Sequence, residues 1–238
     1  MIHCLHGAVG SHHDWSVFQD RFDDELNALD LWRFFDIDEP TLAEAGHKIA
    51  AQAVPGDILL GYSMGGRLAL HALLADPKRW QAAIIISAHP GLTHGHQDRL
   101  ANDQAWGQLA LQNWEKFLQK WNDQEILAST PEGFHQAEAS DQKAVSQSFH
   151  HWSLGKQGDL RSRLHEITCP VLWISGEKDP KFTTLAAEAS ALTPLAVHRT
   201  ISSAGHRVPW DQPEEVAHQV RSFLAGPTDP PFTNSAFA

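Results

Sequence analysis

Two stretches, Ile58-Leu59-Leu60 and Ile84-Ile85-Ile86, are apolar at every position. A strand with water on one face alternates polar and apolar side chains; one buried on both faces does not. These runs therefore predict strands of a parallel sheet, which needs helices on both sides. Strands are predicted over residues 2–5, 31–37, 57–62, 83–87, 171–175 and 197–201. Thr41, with Glu44 three residues on, opens a predicted helix that runs to about Ala53 and stops at Pro55-Gly56. Further helices are predicted over residues 65–75, 182–192 and 213–224, with Pro213 in a first turn. Strands alternating with helices through right-handed crossovers give an open, doubly wound sheet. The 238 residues, 42% of them hydrophobic, supply core enough for this as one domain, residues 1–238.

The alternation breaks between residues 90 and 164, a stretch rich in Gln, Trp and His with no convincing strand. Its length exceeds an ordinary crossover. It predicts an inserted helical cap over the C-terminal edge of the sheet, where α/β folds bind ligands. The tail, residues 225–238, is expected to be irregular.

A net charge of −11 disfavours nucleic acid and anionic membranes as partners. It leaves room for an anionic small molecule, because a few arginines in a cleft set the local field. Cys4 and Cys169, both in apolar runs, read as buried thiols rather than a disulfide. The first residues lack a signal-peptide pattern and no run is long enough to span a bilayer, so a cytoplasmic protein is expected. Among sixteen histidines, neither His12-His13, His94 with His96, nor His150-His151 has metal-site spacing, and neither metal nor cofactor is expected. A homo-oligomer stays open.

Gly61-Tyr62-Ser63-Met64-Gly65 fits G-x-S-x-G between a predicted strand and a predicted helix. That context suits a sharp turn presenting a serine nucleophile above the sheet. A serine needs an imidazole within reach, and Ala204-Gly205-His206 follows the last strand. Glu177 and Asp179 both follow the penultimate strand; Asp179, deeper in the loop, is the chosen orienting acid, with Glu177 the alternative. The order Ser63, Asp179, His206 suits a catalytic triad on the α/β-hydrolase fold. The Met64 and Ala8 amides are candidates for the oxyanion hole.

Three motifs extend the pattern: Gly61 to Ala69, Ala88-His89-Pro90-Gly91-Leu92, and Gly176-Glu177-Lys178-Asp179 followed by Lys181-Phe182. With Ser153-Leu154-Gly155-Lys156-Gln157, they resemble the 2-succinyl-6-hydroxy-2,4-cyclohexadiene-1-carboxylate synthases of menaquinone biosynthesis. The resemblance covers almost the whole chain. It implies a lyase that eliminates pyruvate from an enolpyruvyl cyclohexene intermediate, with the triad acting as a base beside an oxyanion hole. It also implies a polycarboxylate substrate bound by Arg67 and Arg99, with Tyr62 and Trp121 lining the pocket. The sequence departs from the family in three places. A third arginine has no counterpart in residues 136–151, the usual leading antiparallel strand pair is missing, and Ala8 stands where an aromatic residue often follows His-Gly. The same triad also suits a carboxylesterase or a C–C bond hydrolase. A non-catalytic binding protein is a further alternative, which the complete serine, acid and histidine set argues against.

Overall fold

The computed structural model describes residues 1–36, 38–127 and 135–226. Ile37, the end of one predicted strand, and most of the predicted tail, residues 227–238, lie outside the described residues. Six strands form one sheet: β1 (Ile2–Leu5), β2 (Leu26–Leu29), β3 (Asp57–Tyr62), β4 (Trp80–Ile86), β5 (Val171–Gly176) and β6 (Ala196–Ile201). Their spatial order is β2-β1-β3-β4-β5-β6, and every pairing is parallel.

The apolar runs are buried as their composition requires. Leu59, Ile85 and Trp173 belong to the core on one face, while Ile58, Leu60, Ile84 and Ile86 belong to the core on the other. Each such side chain contributes about 1.5–3 kcal/mol by leaving water. Helices α1 (Leu42–Gln52), α2 (Met64–Ala75) and α6 (Pro180–Leu192) pack on the first side. The short α7 (Val208–Asp211), α8 (Pro213–Leu224) and a 3₁₀ turn at His12–Phe18 cover the second. Thr41 and Glu44 form the reciprocal cap expected at the start of α1.

One predicted strand is wrong. Residues 31–35 form a 3₁₀ turn, Leu31–Phe35, and the strand lies earlier, at Leu26–Leu29. Asp30 accepts a hydrogen bond from the Trp32 amide and so initiates a helical turn. Leu31, Trp32 and Phe35 then bury the same side of that turn. β2 is an edge strand with three half-buried residues out of four, so burial imposes little apolar pattern on it.

Between β4 and β5 the chain forms α3 (His96–Gln112), α4 (Trp114–Asn122) and α5 (Gln142–His151). This helical segment is tied to the C-terminal ends of the strands. The Ala137 amide donates to Val9 O at 2.9 Å, and Trp152 Nε1 donates to Pro40 O at 2.9 Å. Among the described residues no helix is long and apolar enough to cross a membrane, and no three potential ligands gather as a metal site. Cys4 and Cys169 are free and buried.

One buried and one half-buried imidazole make the fold acid-sensitive. His6 accepts the Leu31 amide at Nε2 and donates from Nδ1 to Gly7 O, while His71 Nε2 is buried with no hydrogen-bond partner. Burial above all pulls both from 6.5 down to about 4. Below about 6.5 the unfolded chain takes up protons that the folded imidazoles refuse, so their stabilisation, full above that pH, fades as pH falls toward about 4. Urea unfolding followed across this window should show stability falling with pH, and His71→Leu should flatten the decline. An equal slope in the variant would exclude His71 as a source.

Candidate active site

β3 ends at Tyr62 and α2 begins at Met64, leaving Ser63 alone to make the turn. It does so with φ 51° and ψ −109°, a conformation that L-residues avoid because Cβ crowds the backbone. The neighbouring backbone holds it: the Ser63 amide donates to Ile86 O at 2.8 Å, and the Arg67 amide donates to Ser63 O at 3.1 Å. The turn also requires two of its glycines. A Cβ on Gly61 would stand 2.5 Å from Gly65 O, and one on Gly65 would stand 2.3 Å from Leu5 O. Their absence lets the first turn of α2 press against the end of β1, which brings Met64 and the loop of Gly7 and Ala8 to one cleft.

His206 reaches the same cleft from the loop after β6. Asp211 steadies that loop by accepting the Gly205 amide at 2.8 Å. His206 Nε2 lies 3.1 Å from Ser63 Oγ, and Nδ1 lies 2.7 Å from Asp179 Oδ2. The carboxylate can only accept, so Nδ1 carries the proton and the neutral ring accepts from the serine hydroxyl at Nε2. Asp179 is held by its place in the fold. It is the N-cap of α6, where Oδ1 accepts the Phe182 amide at 3.3 Å and Pro180 occupies the first turn. The alternative acid, Glu177, turns away and accepts the Ser203 amide at 2.9 Å. Asp179 is 4% exposed and His206 7%. Such a chain can move a proton from the hydroxyl to the imidazole while the carboxylate stabilises the positive ring.

The cleft encloses about 850 Å³ of empty space, counting its mouth. Ala8, Met64, Tyr62, Arg67, Arg99 and Trp121 all line it. Arg67 stands one turn along α2 from Ser63 and is 8% exposed. It donates to Trp152 O at 2.8 Å and to Gln157 Oε1 at 3.2 Å, both neutral acceptors. Burial, followed by the charge of Arg99, lowers its pKa to about 9. Arg99, more exposed, pairs through Nε with both oxygens of Asp103, at 2.8 and 2.9 Å. The Tyr62 ring lies 5.7 Å from that of His206, and Trp121 packs within the aromatic cluster of α3, α4 and α5.

A family model described as the alpha/beta hydrolase family matches residues 4–219. The chain belongs to that family. Among relatives, the chain is 30% identical to the 2-succinyl-6-hydroxy-2,4-cyclohexadiene-1-carboxylate synthase of Pectobacterium atrosepticum, over 94% of this chain and 93% of the relative. A putative synthase of the same name from Bacillus subtilis is 29% identical, over 93% of this chain and 89% of its own. Among solved structures, MenH from S. aureus superposes with a TM-score of 0.79 at 21% identity, covering 94% of this chain and 92% of that one. A thermophilic esterase from Thermogutta terrifontis gives a TM-score of 0.75 at 16% identity, covering 94% and 89%.

Sequence reasoning missed several groups in and behind the cleft. Arg207, immediately after His206, lines the cleft and donates from Nη2 to Asn122 Oδ1 at 2.7 Å. Burial lowers its pKa, against the opposing charges of Asp211 and Asp14. Its adjacency to His206 was the available signal. Asp14 is fully buried and accepts the amides of Ser11 and His135, yet burial pushes its carboxyl up to about 7. Ser87 and His89 also line the cleft; His89 stands in a quoted motif but had no assigned role.

The close approach at Gly65 has a measurable consequence. Gly65→Ala should cost about 1–3 kcal/mol, the usual penalty of overpacking, and denaturant unfolding would read it. Gly158→Ala, at a position with nothing within 4 Å, should leave the midpoint nearly unchanged. Equal midpoints for the two variants would refute the packing argument.

Proposed function

We propose that this hydrolase-family chain is a lyase that eliminates pyruvate from an enolpyruvyl succinyl-hydroxycyclohexene-carboxylate in menaquinone biosynthesis. It would work in the cytoplasm and need no cofactor. The observation that carries the reading is Arg67: a buried guanidinium on the cleft wall whose hydrogen-bond partners are neutral. Asp103, the nearby carboxylate acting on it, is already bound by Arg99 and Ser153. Burying a charge without a counterion is costly, and an anionic substrate offsets that cost. The names of the relatives at about 30% identity point to the same chemistry.

In this reading the triad is Ser63, His206 and Asp179. His206 takes the Ser63 proton, and the serine oxygen removes a proton from the substrate ring. The C–H electron pair moves into the ring, and the developing charge on the succinyl carbonyl is held by the amides of Met64 and Ala8. The ring C–O bond then breaks, and the enolate of pyruvate leaves and takes up the proton. No acyl-enzyme forms. Arg67 and Arg99 hold carboxylates, while Tyr62 and Trp121 wall the ring.

A second reading, a carboxylesterase, draws on the same Ser63–His206 contact and on the fold shared with the esterase. One experiment tests the triad and a second separates the readings. Ser63→Ala, His206→Ala and Asp179→Asn should each lower pyruvate release by roughly 10²–10⁴-fold without unfolding the chain, and the combined variant should lose little more. Arg67→Ala should weaken productive binding of the enolpyruvyl intermediate by roughly 1.5–3 kcal/mol while leaving cleavage of short nitrophenyl esters unchanged. Rapid ester cleavage without pyruvate release by the unmodified protein would favour the esterase.

A further inference from the structure

Two polar groups just after β4 are used by nothing described so far. Ser87 follows the strand with φ 48°, is 1% exposed, and its hydroxyl has no hydrogen-bond partner. His89 accepts the Gly91 amide at Nδ1, at 3.1 Å. A ring nitrogen that accepts carries no proton, so the neutral imidazole must hold its proton on Nε2. No described residue accepts that proton. Ser87 and His89 line the cleft together with Ser63, Arg67 and Arg99.

The surroundings hold His89 in this state. Burial first, then the charges of Lys181, Arg161, Arg67 and Arg99, lower its pKa to about 4. Near neutral pH it is therefore an N–H donor without charge, fixed in direction by Gly91. The Phe182 ring adjoins both His89, at 6.3 Å between centroids, and His206, at 4.5 Å, which sets the pair beside the Ser63 and His206 centre. The Ser87 hydroxyl, buried without a partner, calls for an acceptor, and the His89 N–H stands on the same cleft wall. The uncompensated Arg67 charge in the same wall calls for that acceptor to be negative.

We infer that the Ser87 hydroxyl and His89 Nε2–H form a carboxylate subsite beside Ser63, in which Arg67 supplies the charge and the two neutral donors fix the orientation of the bound group. The inference rests on the polycarboxylate reading of the cleft and deepens it by naming where one carboxylate sits. A neutral donor discriminates by direction, which distant cations cannot do.

The test uses succinate as probe and protein labelled with ¹⁵N-histidine. His89 should show an unprotonated Nδ1 and a protonated Nε2, and succinate should shift the Nε2 resonance. His89→Asn keeps an acceptor for the Gly91 amide but loses the far donor, and should raise the succinate Kd roughly tenfold, about one hydrogen bond to a charged group. His89→Gln, whose amide reaches farther, should recover part of the loss. Ser87→Ala should also weaken binding, without lowering the unfolding midpoint, because it removes a buried group that has no partner. An Nε2 resonance unmoved at saturating succinate, or an unchanged Kd in His89→Asn, would overturn the subsite. Pyruvate release by the unmodified protein is scored separately. If it persists, only the subsite fails; if it is absent, the lyase reading fails on its own evidence.

Discussion

The contact between the first turn of α2 and the end of β1 governs most of this molecule. Leu5 O and His6 O lie so near Gly65 that no side chain fits between them. The approach does three things at once. It leaves Ser63 to turn the chain in a strained conformation, aims the start of α2 into the cleft, and places the loop of Gly7 and Ala8 beside it. Surrounding hydrogen bonds and two buried cores hold the strain, as backbone outliers at functional sites require.

The cleft and the surface carry opposite charge. The chain as a whole is acidic, yet the wall around Ser63 carries Arg67, Arg99, Lys181 and Arg207. The helical segment between β4 and β5 makes this arrangement by closing over the strand ends. It supplies Trp152 O and Gln157 as neutral acceptors for Arg67, and Asp103 for Arg99. Arg67 and Arg207 are buried in that wall, where a charge acts more strongly than the many exposed carboxylates do on the outside. The net charge of the chain and the charge of its cleft wall therefore have opposite signs.

Much of the sheet was legible from local pattern, because strands buried on both faces cannot hide polar residues. β1 and β3 were found with both ends correct, β5 with its end displaced by one residue, and β4 with its start displaced by three. The edge strand β2 was missed because its half-exposed residues obey no strict pattern, while the neighbouring Leu31–Phe35 turn is more apolar than the strand itself. The choice between Glu177 and Asp179 was a matter of loop depth in sequence. In space it is a matter of direction: Asp179 caps α6 with one oxygen and meets His206 with the other, whereas Glu177 turns toward Ser203.

The sequence by itself determined the parallel sheet, the serine turn and the order of serine, acid and histidine, since each is written in neighbouring residues whose chemistry is local. Only the tertiary structure decided which polar groups are left without partners. Arg67 facing neutral acceptors, the orphaned Ser87 hydroxyl and the fixed tautomer of His89 depend on residues brought together from distant parts of the chain. Satisfaction of a buried polar atom is a property of its surroundings in three dimensions, and no spacing along the chain encodes it.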